Sequence, residues 1–259
     1  MISWKNFPGP FIPGKPFVHD EYGHLLLQFG PASVQSQMHL EDPLRLTLGY
    51  TRTLMGFLLF VPKPARITMI GLGGGSLPKY CFEKLPEAKI DVVEISAEVI
   101  ALRDTFKIPP DNARFHIYCA DGADYIAARE NSDDVIIVDG FDIDGQAPTL
   151  CTESFYQHCY RALRSNGVMA VNLSENAKQH AGFIKRMRQC FADRVIVVAA
   201  EDCTNKVVFA IKQSATATDN HFSEKMLLSR AARLDKQHPI AFRQMVERMV
   251  SNPHNPIME

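Results

Sequence analysis

Short apolar runs alternate with longer amphipathic stretches from about residue 66 to residue 211, and this alternation limits the possible folds more than any other feature of the sequence. The runs read, in order, RITMIGL, KIDVVEI, RFHIYCA, DVIIVDG, GVMAVNL, RVIVVAA and KVVFAIK. Stretches with apolar residues at helical spacing separate the first six runs from one another. This order predicts βαβ units on a mainly parallel sheet.

The last two runs break the rhythm, because only the residues EDCTN lie between them. So short a connection predicts an antiparallel hairpin at one edge of the sheet. The expected fold is therefore α/β, with a seven-stranded, mainly parallel sheet that ends in an antiparallel hairpin. This arrangement favours the Rossmann-like fold of the class I AdoMet-dependent transferases over the six-stranded dinucleotide-binding fold.

The segments on either side of this region predict smaller additions to the α/β domain. Residues 1–64 are expected to contain an irregular arm, a small β-element and a linking helix. The β-element is predicted from the alternating stretches PFVHDEYGHLLLQFG and ASVQSQMHL, and the helix from PLRLTLGYTRTLMGFLLF. The α/β domain is expected over residues 65–215, and a tail of two amphipathic helices over residues 216–259.

Composition and charge exclude several classes of protein. The chain has 259 residues, of which 46% are hydrophobic, so it can bury a sizeable core. A formal net charge of -1 favours neither nucleic acid nor an anionic membrane as a partner. The six cysteines are scattered without zinc-ligand spacing, so no metal is expected. The first residues lack a signal-peptide pattern and LMGFLLFV is too short to span a bilayer, which predicts a cytoplasmic protein.

A glycine-rich loop, IGLGGGSLPKY, follows the first of the predicted core strands. Its glycines let the backbone reach positive φ and leave no Cβ between the backbone and a ligand. They are Gly71, Gly73, Gly74 and Gly75. Ser76 stands where the dinucleotide motif G-x-G-x-x-G has its third glycine, so the loop is a weak match for NAD. It suits a ligand that has no pyrophosphate.

Three successive core strands end in an acid, namely Glu94, Asp121 and Asp139. Ligands of an open parallel sheet bind at the carboxyl ends of its strands, and an acid about 20 residues after the glycine loop can bind both ribose hydroxyls. Asp121 would also serve as a helix N-cap. Together the acids and the glycines indicate an adenosine site. Its glycines would lie under a methionine-like tail, Glu94 at the ribose and Asp121 near the adenine amine.

At these residues the chain resembles the spermidine synthase family, also called polyamine aminopropyltransferases, and in particular its divergent spermidine-synthase-like branch. The resemblance covers about residues 17–212. It rests on EYGHLLLQFG followed by Gln35, and on GLGGGS, VVEIS, ADGADY, VIIVDGFDIDGQAP and TESFY. It implies that Gln35 contacts the donor, that Glu94 holds the ribose, and that Asp121 with Gly122 binds the adenine.

The resemblance also implies the catalytic residues. Asp139 and Asp142 match the family's D-x-x-D pair, whose first acid is the catalytic one, and Tyr50 corresponds to a substrate-contacting tyrosine. Asp142 and Asp144 would bind the distal ammonium of a diamine, because charge-assisted hydrogen bonds hold and orient it. The implied reaction is aminopropyl transfer from decarboxylated AdoMet to an amine or polyamine, in a homodimer.

Departures from the family's pattern keep other functions open. Gly74 stands where the family's G-G-G-D-G-G motif has an aspartate that faces the donor's ammonium, and Asn172 stands where a glutamine is expected. Loss of that aspartate would make the carboxylate of intact AdoMet easier to accommodate, so an AdoMet-dependent methyltransferase acting on a small molecule is the runner-up. A catalytically inactive adenosyl-binding homologue is a third alternative. The D-x-x-D pair, which suits a cationic acceptor, favours aminopropyl transfer.

Overall fold

A small antiparallel sheet begins the part of the chain that the structure describes. The computed structural model describes residues 15–30, 33–142, 145–174, 177–201, 204–214 and 222–258. The strands of the N-terminal sheet, in spatial order, are β1 (Phe17–Glu21), β2 (His24–Gly30) and β3 (Ser33–His39). All of its pairs are antiparallel. This sheet confirms the small β-element that the sequence predicts.

The central sheet has seven strands. They are β4 (Arg66–Ile70), β5 (Lys89–Glu94), β6 (Phe115–Cys119), β7 (Asp133–Val138), β10 (Leu163–Leu173), β11 (Val195–Ala199) and β12 (Lys206–Ile211). Their spatial order is β11-β12-β10-β7-β4-β5-β6. Strand β12 runs antiparallel to both of its neighbours, and the other pairs are parallel. The predicted mainly parallel sheet with an antiparallel edge hairpin is confirmed.

Short strands and helices complete the fold. Strands β8 (Phe141–Asp142) and β9 (Gly145–Gln146) form a small hairpin after β7, and β13 (Phe222–Ser223) pairs with β14 (Ile257–Met258). The α-helices are α1 (Gly49–Leu54), α2 (Ser76–Lys84), α3 (Ala97–Ala101), α4 (Gly122–Ala127), α5 (Glu153–Ala162), α6 (Ala177–Cys190), α7 (Glu224–Leu234) and α8 (Phe242–Val250). Within the described ranges, no helix is long and apolar enough to cross a membrane.

Both faces of the central sheet are covered by helices. In β7, Val135 and Ile137 belong to one apolar cluster, and Ile136 and Val138 belong to the other. Side chains of α2, α7 and α8 complete the first cluster, and those of α5 and α6 complete the second. Because successive residues of a strand point to opposite faces, two covered faces require the continuous apolar runs seen in the sequence.

The linking helix is shorter than the sequence predicts. Helical spacing suggested a helix from residue 43 to residue 60, but α1 begins only at Gly49 and continues as a 3-10 helix over Met55–Leu59. The guanidinium of Arg52 donates to the main-chain oxygens of Leu46 and Thr47. These oxygens therefore accept from a side chain instead of from the N–H groups four residues later, as they would in a helix that began at residue 43.

Strand order reverses between β4 and β7. The chain runs outward from β4 through β5 to β6, then crosses back to place β7 on the other side of β4. In open α/β sheets a ligand binds in the crevice at this switch point, beyond the carboxyl ends of the strands. The fold therefore brings the glycine loop after β4 and the acids after β5, β6 and β7 to one edge.

Candidate active site

A cavity of about 440 Å³ opens at the carboxyl ends of β4, β5 and β7. Residues of β3 and α1 line it from the N-terminal side. Its polar lining includes Gln35, Ser36, Tyr50, Glu94, Asp121, Asp139, Asn172 and Asn205. A cavity of this size is typical of small-molecule sites.

Gly71 and Gly73 place bare backbone against the cavity. Their φ angles are 96° and 50°, a region that side chains other than glycine's rarely adopt. A Cβ at Gly71 would lie 2.3 Å from the main-chain oxygen of Asp139. The ends of β4 and β7 therefore pack too closely for any side chain at this position, and the loop borders the cavity directly.

Gly74 and Gly75 do not belong to the described lining of the cavity. A Cβ at Gly74 would lie 2.7 Å from Oγ of Ser36 and 2.8 Å from the ring of Phe106, and a Cβ at Gly75 would lie 2.5 Å from the side chain of Ile108. These two glycines let the loop pack closely on its neighbours. Their contact with a cofactor stays a prediction.

Glu94 is held in place by the loops on either side of it. Its Oε2 accepts a hydrogen bond of 2.9 Å from the main-chain N–H of Leu72, and its Oε1 accepts one of 2.8 Å from that of Ser96. These bonds tie the end of β5 to the glycine loop after β4. A carboxylate oxygen has more than one lone pair, so Glu94 can accept ribose hydroxyls while it keeps both bonds.

Asp121 caps helix α4 and also lines the cavity. Its Oδ1 accepts hydrogen bonds from the main-chain N–H groups of Ala123 and Asp124. Gly122 follows it, and a Cβ there would lie 2.4 Å from the side chain of Ile70. The capping role that the sequence suggests is therefore present, and it leaves Asp121 and Gly122 at the cavity wall.

Asp139 lies at the end of β7, half-buried in the cavity wall. Burial raises the pKa of Asp139 to about 6, and hydrogen bonds from Asn172 and Tyr50 limit the increase. Nδ2 of Asn172 donates to Oδ1 of Asp139 at 2.8 Å. This carboxyl group is ionised at neutral pH, yet it is basic enough to accept a proton from a substrate.

Tyr50 and Gln35 lie next to Asp139. The hydroxyl of Tyr50, on α1, hydrogen bonds to Asp139 and lies 3.5 Å from the main-chain oxygen of Gln35, on β3. The N-terminal sheet and the linking helix therefore reach the carboxyl edge of the central sheet. The fold brings Gln35, Tyr50 and Asp139 together from three separate parts of the sequence.

The remaining predicted substrate-binding residues cannot be placed in full. Asp142 is the second residue of β8, which pairs with β9, but its side chain lies outside the described part of the structure. Asp144 lies outside the described residues altogether. Their roles toward an acceptor stay predictions.

Sequence reasoning missed several polar residues of the cavity, among them Ser36 and Asn205, and treated Asn172 only as a departure from the family's pattern. Ser36 and Asn205 line the cavity without any motif that points to them, and Asn172 hydrogen bonds to Asp139. Asn205 precedes β12 in the hairpin turn, where asparagine is an ordinary turn residue. Its neighbour in space, Asn172, is 33 positions away, so no local pattern could join them.

Comparisons with known proteins show the family of the chain. A family model described as "Spermine/spermidine synthase domain" matches residues 47–201, which is more than half of the chain. A polyamine aminopropyltransferase of Chromobacterium violaceum is 39% identical over 252 residues, which cover 96% of this chain and 95% of the relative.

Solved structures support the fold. A spermidine synthase in complex with the transition state analogue AdoDATO superposes with a TM-score of 0.67 and 21% identity, covering 92% of this chain and 86% of that chain. Human methyltransferase-like protein 13 in complex with SAH has a TM-score of 0.60 and 23% identity, covering 79% and 93%. At these identities the likeness shows the shared class I AdoMet-dependent transferase fold. From the family model and the curated relative together, the chain belongs to the spermine/spermidine synthase family and is a transferase of the aminopropyltransferase type.

Proposed function

We propose that the protein transfers the aminopropyl group of decarboxylated AdoMet to a small aliphatic amine or polyamine. The observation that carries this proposal is the charge of the cavity. Its described lining contains the carboxyl groups of Glu94, Asp121 and Asp139, and no lysine, arginine or histidine. Decarboxylated AdoMet carries a sulfonium and an ammonium, and an alkylamine is protonated at neutral pH, so both substrates suit an acidic cavity.

The donor would lie along the carboxyl edge of the sheet. Glu94 would accept hydrogen bonds from its ribose, Asp121 with Gly122 would border the adenine, and Gln35 would contact it from β3. Gly71 and Gly73 would lie under the aminopropyl tail, where bare backbone allows close approach. The site geometry supports this placement because these residues surround one cavity.

Asp139 would act as the general base. The acceptor ammonium, with a pKa of about 10.4, gives a proton to the carboxylate and becomes a free amine. The amine nitrogen attacks the CH₂ next to the sulfonium, a C–N bond forms, and the C–S bond breaks with its electrons moving to sulfur. The leaving group is a neutral thioether. Tyr50, Asp142 and Asp144 would orient the acceptor.

The carboxylate of intact AdoMet fits this cavity less well. A methyltransferase would have to hold that carboxylate beside three acids, without a cationic side chain in the described lining. Gly74 does not change this balance, because its missing side chain would point at Ser36 and Phe106. Absence of an aspartate at Gly74 therefore opens no room for a carboxylate in the cavity.

The test is calorimetric binding of decarboxylated AdoMet, AdoMet and methylthioadenosine at one pH, followed by a transfer assay with aliphatic diamines. We expect decarboxylated AdoMet to bind more tightly than AdoMet and to yield methylthioadenosine when a diamine is present. Preference for AdoMet would support the methyltransferase alternative, and tight binding without turnover of any amine would support an inactive homologue. Failure of all three ligands to bind would overturn the adenosyl site.

The remaining expectations extend this proposal to the whole protein. We propose that it acts in the cytoplasm as a homodimer and without a metal ion. Sedimentation velocity and assays with and without a chelator test the assembly and the metal independence.

A further inference from the structure

The amide of Asn172 has one orientation that suits Asp139. An ionised carboxylate can only accept hydrogen bonds, so Asn172 must present its Nδ2 to Oδ1 of Asp139. In the structure these two atoms are 2.8 Å apart. The Oδ1 of Asn172 then points away from Asp139. Asn172 is almost fully buried, so this oxygen needs a donor from the protein.

Asn205 supplies that donor. Its Nδ2 donates to Oδ1 of Asn172 at 2.9 Å. The backbone of Asn205 is fixed in turn, because its main-chain oxygen accepts a 2.9 Å hydrogen bond from the N–H of Ala200 across the β11–β12 hairpin. The main-chain oxygen of Asn172 also accepts a bond from Nε2 of Gln146. A chain of amides thus runs from the hairpin turn to Asp139.

We propose that Asn205 is a positioning residue, which holds the Asn172 amide so that its N–H group faces Asp139. The consequence for the reaction rests on the proposed function, in which Asp139 is the base. If the amide turned over, its oxygen would face the carboxylate and destabilise the ionised form. Asn205 would therefore set how readily Asp139 binds a proton, although it does not contact Asp139 itself.

Other groups around Asp139 have to be separated from this effect. The Tyr50 hydroxyl on α1 hydrogen bonds to Asp139, and Glu94 and Asp121 line the same cavity from the ends of β5 and β6. An apolar residue at position 205 would also reduce solvation of the cavity. A double-mutant cycle through Asn172 isolates the contribution that passes through the amide.

The experiment is a ¹³C NMR titration of aspartate carboxyl groups in the full chain, with Asp139→Asn to assign the resonance. The variants are Asn205→Leu, Asn172→Ala and their combination. Asn205→Asp is a second variant that keeps the size of the side chain but replaces the donor with an acceptor. Asn166→Asp is its control, because it makes the same change on an exposed residue of β10. Asn166 lies before Val168, where the pairing of β10 with β12 begins, and Asn172 lies near the other end of that pairing.

We expect Asn205→Leu to raise the pKa of Asp139 by about one unit in the wild-type background, the size expected for one charge-assisted hydrogen bond. In the Asn172→Ala background the same substitution should have little effect. Asn205→Asp should raise the pKa of Asp139 further, and Asn166→Asp should leave it unchanged. Equal shifts in both backgrounds, or no shift in either Asn205 variant, would overturn the proposal.

The titration does not depend on turnover, so it separates this inference from the proposed function. If the pKa of Asp139 follows the pattern above but no amine is alkylated, the amide chain stands and aminopropyl transfer fails. If the enzyme is active, the acid limb of its kcat/KM profile should move with the NMR value in each variant. If the enzyme is active but the acid limb of its kcat/KM profile is the same in the Asn205 variants as in the wild type, aminopropyl transfer stands and the positioning role is contradicted.

Discussion

Asp139 has two properties that a base acting at neutral pH needs. It lies in the cavity at the end of β7, and burial raises its pKa to about 6. A carboxylate with the ordinary pKa of an exposed aspartate would be a weaker base, and one with a pKa above 7 would be mostly protonated. The position of the residue and the cause of its pKa therefore point to the same role.

Asp139→Asn should lower kcat at least about 100-fold, the usual loss when a general base is removed. Binding of methylthioadenosine should change by less than about threefold, because the change removes no predicted donor contact. In the wild type, kcat/KM should fall about tenfold per pH unit below pH 6, since protonated Asp139 cannot accept a proton. Stopped transfer assays across pH 5 to 9 would measure both effects, and an active variant would remove Asp139 as the base.

The ionised form of Asp139 should destabilise the folded protein. The folded-state pKa of Asp139 lies above the ordinary value, so ionisation opposes folding, and stability from this group is lost as pH rises from about 4 through about 6. Asp139→Asn should therefore raise Tm by roughly 2–6 °C at pH 7.5. The increase should vanish near pH 4. Asp104→Asn, on an exposed residue, is the control, and an unchanged Tm at pH 7.5 would argue against a raised pKa.

Glu94 should affect all adenosyl ligands equally. Its carboxylate bonds the N–H groups of Leu72 and Ser96, and it would also take the ribose hydroxyls. Glu94→Ala should weaken decarboxylated AdoMet, AdoMet and methylthioadenosine alike by about 10- to 100-fold, the loss expected for one or two charge-assisted bonds. Calorimetry measures this. Glu98→Ala, an exposed acid four residues away, should leave all three affinities unchanged, and selective loss of one ligand would place Glu94 away from the ribose.

At the scale of elements, strands were easier to predict than the contacts between them. A strand covered on both faces requires a continuous apolar run, so β4, β5 and β7 are visible in the sequence. Parallel strands end at one edge, so the order of the segments along the chain was enough to place the glycine loop and the acids together. The strands and the shared edge of the glycine loop and the acids therefore follow from the hydrophobic periodicity and the spacing of the motifs.

The start of α1 and the role of Asn205 could not be predicted because both depend on residues far away in sequence. Apolar spacing suggested a helix from residue 43, but the side chain of Arg52 binds the carbonyl groups that such a helix would use. Asn205 acquires a role only when the β11–β12 hairpin brings it to Asn172. Local sequence patterns therefore predict neither contact.

Helix α1 begins at a glycine for a steric reason. A Cβ at Gly49 would lie 1.3 Å from the main-chain oxygen of Glu201, so α1 can approach the hairpin only with glycine at this position. Arg52 bonds the Glu201 carboxylate at 2.7 Å, and Thr53 accepts the Glu201 N–H. This contact holds the helix that carries Tyr50 next to Asp139.

Gly49→Ala should therefore reduce both stability and turnover. We expect Tm to fall by at least about 5 °C and KM for the amine to rise, because α1 must move away from Glu201 and take Tyr50 with it. Gly182→Ala is the matched control. It lies in α6 with nothing within 4 Å of its Cβ position, so it should stabilise the protein slightly. Thermal melts and steady-state kinetics of both variants would settle this, and a Gly49→Ala enzyme with wild-type Tm would contradict the close contact.

For the whole molecule, the candidate site depends on parts of the chain that are far apart. Strand β3 supplies Gln35, α1 supplies Tyr50, the central strands supply the acids, and the edge hairpin supplies Asn205. The hairpin is an edge of the sheet, and an edge strand has main-chain groups that its own sheet leaves unpaired. Its stability is therefore a condition for the geometry around Asp139.

The C-terminal segment bonds this edge through the buried side chain of Asn255 and, at 3.2 Å, through Nδ2 of Asn252, which donates to the Val197 oxygen. Oδ1 of Asn255 accepts from the N–H of Val197 at 2.8 Å, and its Nδ2 donates to the oxygens of Val197 and Met249 at 3.0 and 2.8 Å. Asn255 thus bonds the middle of β11 as a neighbouring strand would and joins it to the end of α8. These three bonds link the tail to the hairpin that carries Asn205.

Asn255→Ala should lower the free energy of unfolding by about 2–4 kcal/mol, since it removes the hydrogen-bond partner of the buried Val197 N–H and that of the Met249 oxygen. The uncovered edge of β11 should also promote self-association on heating. Urea denaturation and light scattering measure these effects. Asn112→Ala is the control, because the Asn112 side chain bonds only nearby main-chain groups at an exposed site. If both variants unfolded at the same urea concentration, the tail would not hold the hairpin, and stability of the site would have to come from the central sheet alone.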